Sequence, residues 1–140
     1  MSETYNGIER LNLRFENDWI LNRLVGWVNA IEIELKIIVH CNGFLISGLL
    51  ISARSWCSLQ SEIQTEPMFK EFFQNVSNDY YNEHIVTKSS IDVEYAVYHM
   101  KDAQFYDGSQ NPLPSTSCLW RGKLSEVSGF TLGQFSSGKA

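Results

Sequence analysis

Apolar and polar positions change period several times along the chain, and each change marks an element. From Asn17 onward, Trp19, Ile20, Leu24, Trp27, Val28 and Ile31 recur at steps of three and four, the spacing that gathers side chains on one stripe of a helix. This predicts a helix over 16–31 whose stripe, both tryptophans included, packs in the core. Asn17 or Asp18 caps it, because a short polar side chain accepts from the free N–H groups of the first turn. Gly26 costs the helix about 1 kcal/mol against alanine, which marks close packing or an early end.

The next stretch, LKIIVHCNGFLISGLLI over 35–51, switches to the alternation of a strand pair. Two β-branched-rich runs flank Asn42-Gly43, the pair a type I′ hairpin turn favours because both central residues take positive φ. Pairing outward sets Cys41 opposite Phe44, Val39 opposite Ile46, Ile37 opposite Gly48 and Leu35 opposite Leu50. Leu35, Ile37, Val39, Cys41, Phe44, Ile46 and Leu50 then share one apolar face. The other face, with Lys36, Ile38, His40, Leu45, Ser47 and Leu49, is mixed and calls for partial cover by a helix or another subunit.

Helical spacing returns at Trp56, Leu59 and Ile63, and Pro67 marks a fresh helix start, since its missing N–H is no loss there. Met68, Phe69, Phe72, Phe73 and Val76 form a dense apolar stripe that reads as core or as a docking surface. The polar run over 77–90 reads as a loop. A third strand runs through Val93, Tyr95, Val97 and His99 toward Tyr106, and residues 107–112 (DGSQNP) are turn material. A fourth strand over 118–124 is interrupted by Gly122, a bulge or bend. Residues 127–132 make a fifth. The result is one domain over 1–140: an arm (1–13), a helix (16–31), a hairpin (32–53), a helical insertion (54–90), C-terminal strands (91–133) and a flexible tail (134–140).

Composition narrows the chemistry. With 140 residues, 44% of them hydrophobic, the chain has material for a real core. A net charge of −5 argues against non-specific nucleic-acid binding, which needs a basic surface. Cys41, Cys57 and Cys118 are odd in number and imply no disulfide framework, so a reduced, cytoplasmic setting is expected. No apolar run reaches the roughly 18 to 20 residues of a membrane span, and the polar start MSETYNGIERLN lacks signal-peptide order. The three histidines and three cysteines lack zinc-site spacing, so neither metal nor cofactor is expected. A Ser47, His99 and Asp102 set is the kind any chain offers, and Glu32/Glu34 and Asp92/Glu94 read as solvated carboxylates. No enzyme signature stands out. Trp120, Arg121 and Lys123 form the one basic-aromatic cluster, with a planar guanidinium for a partner carboxylate and an indole anchor.

Two resemblances rest on particular residues. Asn42-Gly43, Ser47-Gly48 and Ile51-Ser52-Ala53 are followed by a strand with Tyr98-His99-Met100-Lys101. The C-terminal block then runs Trp120-Arg121-Gly122-Lys123-Leu124, Glu126-Val127, Gly129-Phe130 and Leu132-Gly133. This order, over nearly the whole chain, resembles the gas-vesicle accessory proteins of the U type. The resemblance implies a non-enzymatic bacterial protein acting in vesicle assembly or clustering through self-association and docking on vesicle-shell or other accessory proteins. Phe69, Phe72 and Phe73, with Trp120, Arg121 and Lys123, are the expected contact surfaces. Asn42, Gly43, Gly48, Gly122 and Gly129 are the expected structural turns.

The architecture also resembles Sm-like proteins, through the leading helix, the Gly43/Gly48 pair, Met100 to Ala103 and Arg121-Gly122. It implies a mainly β (α+β) fold, a small five-stranded Sm-like or SH3-like barrel with an N-terminal helix and a helical insertion between the second and third strands. The alternative function is then an RNA-binding module. The residues after Ile51, SARSWCSL, lack the Asp and Asn of the Sm-like RNA pocket, which counts against it.

Overall fold

The computed structural model describes residues 17–86, 94–107 and 112–133. Its elements are α1 (Trp19–Ile31), β1 (Leu35–Cys41), β2 (Phe44–Ile51), α2 (Ala53–Ile63), α3 (Pro67–Val86), β3 (Val97–Tyr106), β4 (Pro112–Lys123), a 3-10 turn (Leu124–Glu126) and β5 (Val127–Leu132). The expected arm (1–13), Val93, most of the 107–112 turn and the tail (134–140) lie outside the described residues.

The hairpin sets the frame. Asn42 and Gly43 both take positive φ, 51° and 83°, as a type I′ turn requires. The register follows: Cys41 pairs with Phe44, Val39 with Ile46, Ile37 with Gly48 and Leu35 with Leu50. Around this pair the antiparallel sheet grows to five strands in the order β4-β3-β2-β1-β5. β4 and β5 remain separate edges, so the fold is an α+β open sheet and not the closed barrel expected. Closure depends on whether the two edge strands meet, which no local pattern specifies.

Ile37, Val39, Cys41, Ile46, Leu50, Tyr98, Met100 and Ala103 make the buried face of the sheet. α1 covers it with Leu21, Val25 and Val28, and Leu24 packs against them, so only Val28 and Leu24 of the expected stripe face the core. Ile20, Trp27 and Ile31 remain about half exposed. Both sets fit a helical period, and the pattern alone does not choose between them. Asp18 is the cap, its Oδ1 accepting from the N–H groups of Ile20 (2.8 Å) and Leu21 (3.2 Å). Buried Asn22 then fixes the helix to the segment that leads into β3 by accepting from the Tyr95 N–H at 2.7 Å. Gly26 lies under the Tyr95 ring, where a Cβ would stand 3.2 Å from Cε2. Close packing is its reason, since the helix runs on to Ile31.

Residues 77–86 are helical where a loop was expected, because α3 continues to Val86. Ser77 explains the start of that continuation. It is buried against α2, and its hydroxyl donates to the Arg54 carbonyl at 3.1 Å. A tertiary contact holds a stretch whose composition favours no helix.

The β2–β3 pairing slips between Ser47 and Leu49, and Asp102 opposite the slip is left-handed at φ 52°. Gly48 sits under this bulge. A Cβ there would lie 2.9 Å from the Lys101 carbonyl and 3.1 Å from the Asp102 carbonyl, and backbone cannot swing aside. Gly48→Ala is therefore expected to lower stability by about 1–3 kcal/mol, read as a lower urea midpoint. An unchanged midpoint would mean that the bulge yields freely.

Candidate protein-interaction surface

The second face of the sheet carries the helical hairpin α2–α3, joined at one corner. Glu32, just past the end of α1, is left-handed at φ 57°. Its carboxylate gathers three donors from the start of α2: Ser52 Oγ and Ser55 Oγ, each at 2.7 Å, and Arg54 Nε at 3.1 Å. Burial works to raise its pKa, but these hydrogen bonds and the charge of Arg54 outweigh that and leave it lowered. Ser52 also caps α2 by accepting from Ser55 N–H at 3.0 Å, and Asn29 Oδ1 accepts from Ala53 N–H at 2.9 Å. Of the two carboxylates read as solvated in this part of the chain, Glu32 is a joint and Glu34 pairs with Lys101 at 2.6 Å.

Polar contacts hold α3 on α2. Ser61 Oγ donates to the Lys70 carbonyl at 2.9 Å, and Lys70 Nζ returns to the Ser61 and Glu62 carbonyls at the end of α2. This leaves three large apolar side chains of the first turns of α3 outside. Met68, Phe69 and Phe72 are more than half exposed, beside exposed Ile63. With Gln64 and Phe73, these three line an open groove of about 470 Å³.

From the groove a run of rings leads inward. Phe72 meets Phe73 edge-on at 5.2 Å, Phe73 meets Trp56 edge-on at 6.2 Å, and Trp56 lies tilted at 5.2 Å over His99. The groove floor is therefore fixed to the sheet, since His99 is buried in β3. Phe69, Phe72 and Phe73, expected as one contact surface, do share a wall.

Trp120, Arg121 and Lys123 do not form one cluster. Adjacent strand residues point to opposite faces, and β4 keeps its register with β3 from Met100–Trp120 to Val97–Lys123. Trp120 packs on the core side, edge-on to Phe105 at 4.9 Å, with Nε1 donating to the Tyr98 hydroxyl at 3.1 Å. Gly122 leaves room for that phenol, because a Cβ would lie 2.6 Å from its oxygen. Burial pushes the Tyr98 hydroxyl up to about 12, against the Trp120 hydrogen bond. Arg121 and Lys123 are exposed on the α2 side, Arg121 paired with His99. Gly129 pairs with His40 next to a register shift in β1–β5.

Ser47, His99 and Asp102 are not brought together. Ser47 pairs with Gln104 and His99 with Ile51, four residues apart on β2, or about 13 Å. Among the described residues no His, Cys, Asp and Glu group has a metal-binding arrangement. Asn22, Asn29 and Glu32, which fix α1 to both of its neighbours, carry no motif. Their signal was position alone, two amides seven apart on a helix and a carboxylate at its end.

The chain is thus an α+β open sheet with one helical layer in the core and a second that presents an apolar groove. The family model described as gas vesicle protein GvpU-like matches residues 18–135, and the chain belongs to that family. Membership implies a gas vesicle accessory protein, in a family not known for enzymes. No match is found among curated proteins or among solved structures. No helix among the described residues is long and apolar enough to cross a membrane.

Two measurements test this construction. His99 has its pKa lowered to about 4 by burial and then by the charge of Arg121. The unfolded chain therefore takes up a proton between pH 6.5 and 4 that the folded chain refuses. Stability is expected to be full above pH 6.5, to fall by about 3 kcal/mol toward pH 4 and to level there for this group. Urea melts of His99→Gln should lack that slope, and a variant as pH-sensitive as the parent would assign it elsewhere. Trp120→Ala should cost about 3 kcal/mol by emptying a packed site and stripping Tyr98 of its partner, whereas Arg121→Ala should stay within about 0.5 kcal/mol. Equal losses would contradict the division of the pair.

Proposed function

We propose that this protein docks on gas vesicle components through the α2–α3 groove and links them by self-association, in vesicle assembly or clustering in a bacterial cell. The observation that carries the reading is the groove itself. Phe69 and Phe72 stay more than half exposed on a hairpin that Glu32 and the Phe73–Trp56–His99 run hold rigid. Aromatic anchors on a preformed support bind at low ordering cost. Glu62, Glu66 and Glu71 are exposed on the same hairpin, while Lys70 turns to helix carbonyls. The complementary partner is an apolar segment with basic flanks, on the vesicle shell or on another accessory protein. Family membership supports a vesicle partner, and the net charge of −5 weighs against RNA.

Co-flotation tests this. Mixed with purified gas vesicles and centrifuged, the protein should rise with them, indifferent to added RNA. Phe72→Glu should weaken the binding at least about tenfold, the loss of one interface anchor, with the fold intact because the residue is largely outside the core. Protein left below the vesicles, or Phe72→Glu floating like the parent, would refute the groove as the docking site.

A further inference from the structure

α1 carries two apolar stripes and the sheet uses one. Ile20, Trp27 and Ile31 on the other flank are 51%, 49% and 53% exposed, and Leu24 between them is half-buried, one side against the core. Within Trp19–Ile31 the only charged residue is Arg23. A helix apolar around so much of its surface is normally covered on both sides. The spacing of Ile20, Leu24, Trp27 and Ile31 is four, three, four, the seam by which one helix packs on another. The α2–α3 hairpin is on the other side of the sheet, so this flank and the groove are separate surfaces.

We propose that this flank is the self-association face, and that its occupant is the same flank of a second copy, antiparallel across a two-fold axis. This deepens the self-association in the proposed function and leaves the groove free for the vesicle. An isologous contact needs a patch complementary to itself, and a four-three-four spacing is unchanged when reversed. Antiparallel pairing sets Ile20 against Ile31 and Leu24 against Trp27 of the other copy, an even match of volumes. The two Arg23 side chains are then offset by five residues, about 8 Å along the axis, so no like charges meet. Three half-exposed side chains supply less than the roughly 800 Å² per partner of a standard interface. The pairing is therefore weak and concentration-dependent.

Cross-linking in the absence of vesicles reads this geometry directly. In a Cys118→Ser background, with Cys41 and Cys57 buried, Ile20→Cys mixed with Ile31→Cys should form a disulfide-linked dimer on oxidation, and neither alone should. Trp27→Glu, and separately Ile31→Glu, should weaken self-association at least tenfold in sedimentation while flotation persists, so a folding failure in one leaves the other to decide. Phe72→Glu should leave the cross-link intact even where it abolishes flotation, which separates the two contacts. Cross-linking of Ile20→Cys with itself, no cross-link in the mixture, or loss of the cross-link in Phe72→Glu would overturn the proposal.

Discussion

The fold depends on one ionised side chain placed where two helices change sides of the sheet. Glu32 ends α1 in a left-handed conformation, which costs a non-glycine residue about 1–2 kcal/mol. Partial burial adds a desolvation cost. Three charge-assisted hydrogen bonds, from Ser52, Ser55 and Arg54, oppose both, and such bonds are roughly twice as strong as neutral ones. Neutral glutamine would keep the length and lose the charge on which all three donors converge. The helix on the core face and the helix on the other face are thereby locked to a common corner, with β1 and β2 between them in sequence.

That corner determines what the groove can be. α2 leaves it with its first turn capped by Ser52 and tied to Asn29, so Trp56 falls over His99 and little else can shift. A neutral, buried histidine suits this place, since neither the apolar surroundings nor Arg121 tolerates a second positive charge. α3 then rests on α2 through serines, a lysine and the edge-on Phe73–Trp56 contact. Met68, Phe69 and Phe72 are left for the outside. An exposed phenylalanine pair is therefore a consequence of how the seam is filled and not of a helix that failed to pack.

Much of the β structure was legible. The hairpin register follows from a local rule with a single solution, an Asn-Gly turn between apolar runs, and a short acceptor before an apolar run narrows the α1 cap to Asn17 or Asp18. The misreadings have the opposite character. Two stripes on α1 satisfy one period, and only the position of the sheet chooses Leu21, Val25 and Val28 over Ile20, Trp27 and Ile31. Residues 77–86 are polar, and a tertiary bond from Ser77 gives a reason for the helix that composition lacks. The split of Trp120 from Arg121 was within reach of the alternation rule. The Phe69/Phe72/Phe73 surface was visible in its spacing, but which of the three is exposed depends on the α2–α3 seam, where Phe73 turns to Trp56 and Phe69 and Phe72 do not.

The two unused apolar surfaces bear on what an accessory protein of this size can do. One protein with a single contact decorates a surface, whereas one with two separate contacts joins surfaces. The two proposed contacts belong to different helical layers with the sheet between them, so occupying one would not block the other. Neither needs to be strong. On a particle that carries many bound copies, a weak pairing through α1 becomes effectively intramolecular once the first pair has formed, and avidity exceeds the single affinity by orders of magnitude. A stronger α1 contact would pair copies before either reached a vesicle. On the proposed reading, the modest size of the α1 seam is what lets pairing follow docking.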